Sequence, residues 1–355
     1  MDLPARAGTR LPRTLLTLAV GAGGGVVFQA LALPLAWMIG AMVGTTIAAI
    51  GGLPIAVPRR LRGLMIAVLG IMLGGAFTPD LLDRLPLWTG SLAALLLYVA
   101  ASMVLCQVYY QRVGGYDRTT AYFTAAPGGL TPMILVGTAM GGDERAIALG
   151  HTARVLLIVL ALPLSFQLFG GYEPASMPPA GDAVSTIPPQ DLLILLLCGV
   201  VGFFAAKQAR LPAADLVGPM ALSAAVHLAG LTDSQLPTEL IAAAQLVVGA
   251  SIGARFAGVR LAMIARALVL AVGATLILFL VSAAFAAALH GLAGLPALAV
   301  LLAFAPGGVA EMSLIGLALG IDAAYVATHH IARIFIIVVT APLVFRLLRR
   351  RERRG

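Results

Sequence analysis

This sequence predicts an all-α polytopic membrane protein made of two inverted-topology repeats of five transmembrane helices. Three observations carry that prediction. Of 355 residues, 60% are hydrophobic and 11% charged, where an average soluble domain carries about 25% charged residues; the mean hydropathy is +1.00. Apolar runs recur at lengths near the 20 or so residues an α-helix needs to cross a bilayer. The second half of the chain also repeats the first.

In chain order, the apolar runs of the first half cover about 13–33, 34–53, 61–79, 86–110 and 144–169. Those of the second half cover about 190–206, 212–231, 238–256, 262–290 and 322–347. One further stretch lies in each set, about 119–141 and 296–320, and each is interrupted by Pro-Gly-Gly. If these two stretches fold back as re-entrant hairpins the chain has ten spans; if they cross as broken helices it has twelve. The basic residues separate the two counts, because cytoplasmic loops collect Lys and Arg. Ten spans place twenty of the 23 basic residues on one side, with Arg84 opposite and Arg154 and Arg333 inside the membrane. Twelve spans would move Arg145, Lys207, Arg210, Arg255, Arg260 and Arg266 across. Ten spans are therefore expected, with both termini cytoplasmic.

The same sorting settles the net charge of +8. A basic protein raises nucleic acid as a partner, but the RLLRRRERRG tail directly follows a span and reads as a topology anchor that can also touch anionic headgroups. Direct nucleic-acid binding is not expected. Cys106 and Cys198 both lie in apolar runs, which excludes a disulfide scaffold and a CxxC motif. The N-terminal arginines, apolar run and Ala30-Leu31-Ala32 resemble a secretory leader, yet that run has a counterpart in the second half and is expected to be retained.

At a shift of 179, residues 126–168 fall on 305–347 with twenty of 43 pairs identical, and Gly70, Gly74 and Phe77 fall on Gly249, Gly253 and Phe256. At a shift of 178, Leu33, Pro34, Ala36, Gly40 and Met42 fall on Leu211, Pro212, Ala214, Gly218 and Met220. The organisation expected is a first repeat over 1–169, an extracytoplasmic linker over 170–190, and a second repeat over 191–355 ending in the basic tail. An odd number of spans per repeat turns the second upside down, as in many secondary transporters whose sites lie near the midplane.

Candidate functional residues cluster around the two breaks. Pro127-Gly128-Gly129 and Pro306-Gly307-Gly308 interrupt helical hydrogen bonding, because proline lacks a donor and glycine permits non-helical dihedrals. Such breaks serve either as packing kinks or as binding points, where freed amides accept an anion and freed carbonyls a cation. In the helix after each break, Asp143, His151 and Arg154 correspond to Asp322, His330 and Arg333. A mid-membrane arginine costs about 2.5–3.5 kcal/mol on insertion scales, so each needs a partner or a substrate. The aspartates read equally as helix N-caps, and the histidines as either titrating groups or members of helix–helix hydrogen bonds. Two acids are unmatched: Glu311 stands opposite Pro132, and Asp215 opposite Trp37. Glu311, just past a break, is the foremost candidate for binding a proton or cation; Asp215 is a second candidate or a helix cap. No GxSxG, HExxH, Walker A or dinucleotide motif occurs in a suitable context. Catalysis, a bound cofactor and a metal site are not expected.

The APGG(L/V)xxM signature at 126–133 and 305–312, with the LPxxWxxG-type and LPxxDxxG-type turns, resembles the AbrB duplication family of bacterial membrane proteins over about residues 12–348. Members carry two labels, regulator of gene expression and ammonia monooxygenase, and the resemblance implies a bacterial inner-membrane location. The first half departs from the PGGxxEM form by carrying Pro132. An oxygenase would need clustered His or carboxylate ligands, which the sequence does not display. The reading favoured is a secondary transporter of a small, anionic solute working by alternating access, with a membrane-embedded regulator as the alternative. The expected partners are a small solute and the bilayer; a homo-oligomer is compatible with the pattern.

Overall fold

The computed structural model describes residues 10–81, 83–169 and 181–352. Most of the expected linker, 170–180, lies outside the described residues, as do the first part of the leader-like segment and Arg353 and Arg354. Among the described residues the secondary structure is helical, and the only bridge pairs Asp182 with Pro237.

The first half contributes α1 (Arg10–Ala30), α2 (Ala36–Ile50), α3 (Arg59–Gly74), α4 (Leu85–Arg112), α5 (Arg118–Ala125), α6 (Leu130–Ala139) and α7 (Glu144–Phe169). The second contributes α8 (Pro189–Gln208), α9 (Ala214–Leu228), α10 (Thr238–Gly253), α11 (Leu261–Ala293), α12 (Ala297–Phe304), α13 (Val309–Ala318) and α14 (Ala323–Glu352). The helix bounds reproduce the sequence shift: α3, α5 and α6 map onto α10, α12 and α13 at 179 at both ends, and α2 maps onto α9 at 178. Even unusual backbone is duplicated. Ala32 and Leu35 take positive φ in the turn before α2, and Arg210 and Ala213 do so before α9.

Seven described helices, α1, α4, α7, α8, α10 (continued by a 3-10 turn to Phe256), α11 and α14, are long and apolar enough to cross a membrane. This is a polytopic membrane protein. The ten expected spans also included α2, α3 and α9. At 15 residues, α2 and α9 reach only about 22 Å at 1.5 Å per residue, short of the roughly 30 Å hydrocarbon layer. At 16 residues α3 is short as well, and it begins Arg-Arg-Leu-Arg.

The chain forms two compact units, and each draws on both sequence halves. The first unit holds α1–α3 and α8–α10, with the end of α7 and the later part of α13. Its packing is reciprocal. Gly24 of α1 meets the backbone of Gly40 in α2, and Gly202 of α8 meets that of Gly218 in α9. Gly70 of α3 lies on the Leu216 carbonyl of α9, while its counterpart Gly249 of α10 lies on the Met38 carbonyl of α2. Helices in lipid gain from backbone-to-backbone van der Waals contact, and residues without a Cβ allow it. Each repeat thus packs its third helix on the second helix of the other. The remaining unit holds α4–α6, the first part of α7, α11, α12, the start of α13 and most of α14. It contains both Pro-Gly-Gly breaks.

Candidate functional site at the paired helix breaks

Local chemistry starts and stops each half-helix. Asp117 caps α5 by accepting from the amides of Thr119 and Thr120 at 2.9 and 3.0 Å. Partial burial pushes its carboxyl up, but the Thr120 and Thr119 hydrogen bonds outweigh that and hold it below the ordinary carboxylate range. The helix ends at Ala125, because Pro127 forces Ala126 into extended backbone, φ −54 and ψ 124. The same constraint sets Ala305 at φ −56 and ψ 144 and ends α12 at Phe304.

The breaks share a sequence but not a conformation. Gly129 takes the left-handed φ of +66 to open α6, whereas Gly308 is not among the positive-φ glycines. In the second break the Gly307 amide instead bonds the Ala305 carbonyl at 2.9 Å. The Glu311 carboxylate fills the space a Cβ on Gly308 would need. Pro132 leaves the first break without such a group.

Each break frees carbonyls at the negative end of a half-helix, and each arginine is turned onto them. Arg154 donates to the carbonyls of Ala126 at 2.7 Å and Thr124 at 3.4 Å. Arg333 donates to the carbonyls of Ala305 at 2.6 Å, Gly307 at 2.7 Å and Phe304 at 3.3 Å. The two side chains are 2% and 1% exposed, so these bonds are their principal solvation.

The histidines complete the pattern. Arg154 Nη2 lies 3.0 Å from His151 Nδ1, and Arg333 Nη2 lies 2.8 Å from His330 Nδ1. The opposite ring nitrogens lie 2.9 Å from the Phe123 carbonyl and 3.0 Å from the Leu302 carbonyl. A carbonyl only accepts and a guanidinium only donates, so the network assigns Nε2–H and a lone pair on Nδ1 in both rings. Of the two roles open to these histidines, the geometry occupies them as hydrogen-bond bridges. Their partners lie 28 residues away in sequence, a separation no local pattern encodes.

The first break also approaches the arginine that holds the second. A Cβ on Gly128 would lie 3.5 Å from Arg333 Nε and from Ile337 Cδ1, so the first break packs on the helix whose arginine holds the second. Both Nε atoms, of Arg154 and Arg333, are buried without a hydrogen-bond partner among the described residues.

The acids fall into different settings. Asp143 is exposed and caps α7, accepting from the Arg145 and Ala146 amides at 2.8 and 3.1 Å. Asp322 belongs to the first unit and is half-buried with a partner. Asp215, also in the first unit, sits in the first turn of α9; the cap position there is Ala213, and the Asp215 carboxylate lies against Gly63 of α3. Glu311 is 8% exposed in the first turn of α13. No hydrogen bond or ion pair reaches its carboxylate among the described residues. His151 and Arg154 thus form one hydrogen-bonded set at the first break, and His330, Arg333 and Gly307 a second set at the other, with Pro127, Gly128, Gly129, Pro306, Gly308 and Glu311 beside them.

Sequence reasoning missed the surroundings of the second break. His329, fully buried, places Nε2 2.8 Å from Ser91 Oγ and packs against Trp88 and Tyr325. Ser282 donates to the Phe304 carbonyl at 3.1 Å, beside the Tyr98 hydroxyl. Nothing in their local sequence marks these residues. Among the described residues no group of three or more His, Cys, Asp or Glu side chains comes together as a metal site would require.

Residues 37–349 match the family model described as transition state regulatory protein AbrB. The chain belongs to the AbrB family. It is similar to "Uncharacterized protein YhjN" of Bacillus subtilis (strain 168), with 27% identity over 95% of this chain and 94% of the relative. It is also similar to "Putative regulator AbrB" of Escherichia coli (strain K12), with 26% identity over 90% of this chain and 92% of the relative. The match spans both repeats, so the paired breaks of this AbrB-family chain lie wholly inside the shared region.

Proposed function

We propose that this AbrB-family protein is a secondary transporter of a small solute in the bacterial inner membrane, working by alternating access between two inverted five-span repeats. The observation that carries the reading is the presence of both breaks in one compact unit, with Gly128 of the first against Arg333, the arginine that holds the second. Interrupted helices at membrane depth are tolerated where they are buried in protein or line a cavity, and transporter sites are built at such points. In this reading α5–α6 and α12–α13 are re-entrant, both termini are cytoplasmic, and the short α2, α3 and α9 complete the ten spans.

The arginines act differently from a simple anion clamp. Their Nη groups are committed to backbone carbonyls and histidine, so they hold the breaks open as fixed features and leave substrate contact to the helix starts. At α6 the first turn carries no acid, Pro132 standing where α13 has Glu311, which suits an anionic group at the opening amides. At α13 the unpartnered Glu311 suits a proton or sodium ion, and protonation there would couple ion movement to solute movement. A direct regulatory role, as the name of the Escherichia coli relative suggests, is the second reading; transport of a signalling solute would produce it indirectly.

The test is flux in proteoliposomes loaded with a pH-sensitive dye and challenged with acetate, succinate or phosphate. Solute-dependent proton or sodium movement in wild type, lost in Glu311→Gln, is expected. Undiminished coupled flux in Glu311→Gln would remove Glu311 from the mechanism, and no flux of any of these probes would favour the regulatory reading.

A further inference from the structure

A second feature of the break-bearing unit lies at the far end of α14. A groove of about 520 Å³ opens between α6 and the end of α14. One wall is apolar, formed by Leu135, Val136 and Met140, and Leu135 is 66% exposed. The floor is Phe345, which is 4% exposed and held by Tyr122 and Phe123 at centroid distances of 5.0 and 5.2 Å. The Tyr122 hydroxyl donates to the Ala341 carbonyl at 3.0 Å, fixing that floor to α14. The groove is thus preformed.

The opposite wall carries Arg346, Arg349 and Arg350. Their i, i+3, i+4 spacing sets the three on one face of the helix within about 100°. All three are exposed, and among the described residues none has a hydrogen bond or an ion pair. Three guanidiniums without an ion pair among the described residues, set beside an apolar wall, are complementary to a ligand with a phosphate at one end and hydrocarbon at the other. The first repeat has no equivalent: at the shift of 179 the arginines correspond to Gln167, Gly170 and Gly171. A topology signal needs only positive charge near the span; it needs neither a shared helical face nor a rigid aromatic floor.

We propose that this groove is a binding site for an anionic glycerophospholipid, of the phosphatidylglycerol or cardiolipin class. The phosphate lies across Arg346, Arg349 and Arg350 in bidentate guanidinium contacts, and an acyl chain runs along Leu135, Val136 and Met140. The site is independent of solute transport. It would tie the break-bearing unit to the charge of the surrounding leaflet.

The test is native mass spectrometry of the full chain in detergent, titrated separately with cardiolipin, phosphatidylcholine and glycerol 3-phosphate. Wild type is expected to retain cardiolipin in preference to phosphatidylcholine and to retain no glycerol 3-phosphate. At about 1 kcal/mol for each arginine near an anionic headgroup, R346Q/R349Q/R350Q should bind cardiolipin on the order of a hundredfold more weakly. R59Q/R60Q, which removes exposed charge elsewhere, should bind as wild type. Equal retention of phosphatidylcholine, or equal loss in R59Q/R60Q, would overturn the site in favour of unspecific surface attraction. Retention of glycerol 3-phosphate would overturn the lipid and leave a soluble phosphate as ligand. The lipid-preference arm uses wild type alone, so it decides the matter even if the triple variant does not fold.

Discussion

Replacing each buried arginine by methionine tests whether the guanidiniums cap the helix breaks. Arg333 makes three short bonds, to the Ala305 and Gly307 carbonyls and to His330, at 2.6, 2.7 and 2.8 Å. Arg154 makes two, to the Ala126 carbonyl and to His151, at 2.7 and 3.0 Å. Methionine fills much of the space and donates nothing; the Ala305 carbonyl keeps the Gly307 amide at 2.9 Å, so each variant leaves one carbonyl and one histidine nitrogen without their donor. At about 1–3 kcal/mol for each orphaned acceptor, the gross loss is about 2–6 kcal/mol for either variant. Removing a guanidinium from the membrane interior returns about 2.5–3.5 kcal/mol. That gain is common to both variants and cancels between them. The expected net loss is therefore the same in both variants, two acceptors each. Unfolding in mixed micelles with increasing dodecyl sulfate, followed by tryptophan fluorescence, measures it. A loss in one variant that exceeds the other by more than one acceptor, about 1–3 kcal/mol, would refute the capping role.

Two further outcomes follow from the packing and the caps. Gly40→Ala and Gly218→Ala each place a methyl on the facing glycine backbone, of Gly24 and Gly202, and each should cost about 1–3 kcal/mol by overpacking; Gly23→Ala, which meets nothing within 4 Å, should be tolerated in the same unfolding assay. Asp117→Ala should cost about 1 kcal/mol of α5 stability. Because the folded Asp117 carboxyl is held below its ordinary value, its contribution is complete above the unfolded pKa and disappears as pH falls through the folded one. The wild-type advantage over Asp117→Ala should therefore vanish in acid, and an advantage independent of pH would contradict the cap.

What could be read from the sequence tracks how local the physics is. Proline and glycine act on their own backbone, so the ends of α5 and α12 were legible from APGG to within a residue. The match between repeats at 179 likewise carries the bounds of α6 onto those of α13. Length proved harder: 34–53 and 212–231 are continuous apolar runs, yet α2 and α9 start late because Leu35 and Ala213 take left-handed backbone after the Leu-Pro turns. Hydropathy does not register that turn. The candidates around the breaks were legible as a set, because an arginine, a histidine and an aspartate recur at the same offsets from both. Their roles were not. Asp143 reads the same whether it caps a helix or binds a solute, and only the Arg145 and Ala146 amides at its carboxylate show the cap.

The sequence by itself determined that this chain lives in a membrane, that it is a duplication, where its helices break, and which AbrB-family signature it carries. Composition, periodicity and backbone preference are properties of neighbouring residues and survive without a fold. Tertiary structure alone decided what the buried charge does. Arg333 reaches carbonyls 26, 28 and 29 residues earlier in the chain, Gly128 abuts an arginine from the other repeat, and α3 packs on α9 as α10 does on α2. A guanidinium in a low-dielectric interior must take whatever acceptors the fold brings within about 3 Å. Which acceptors those are depends on how distant helices come together.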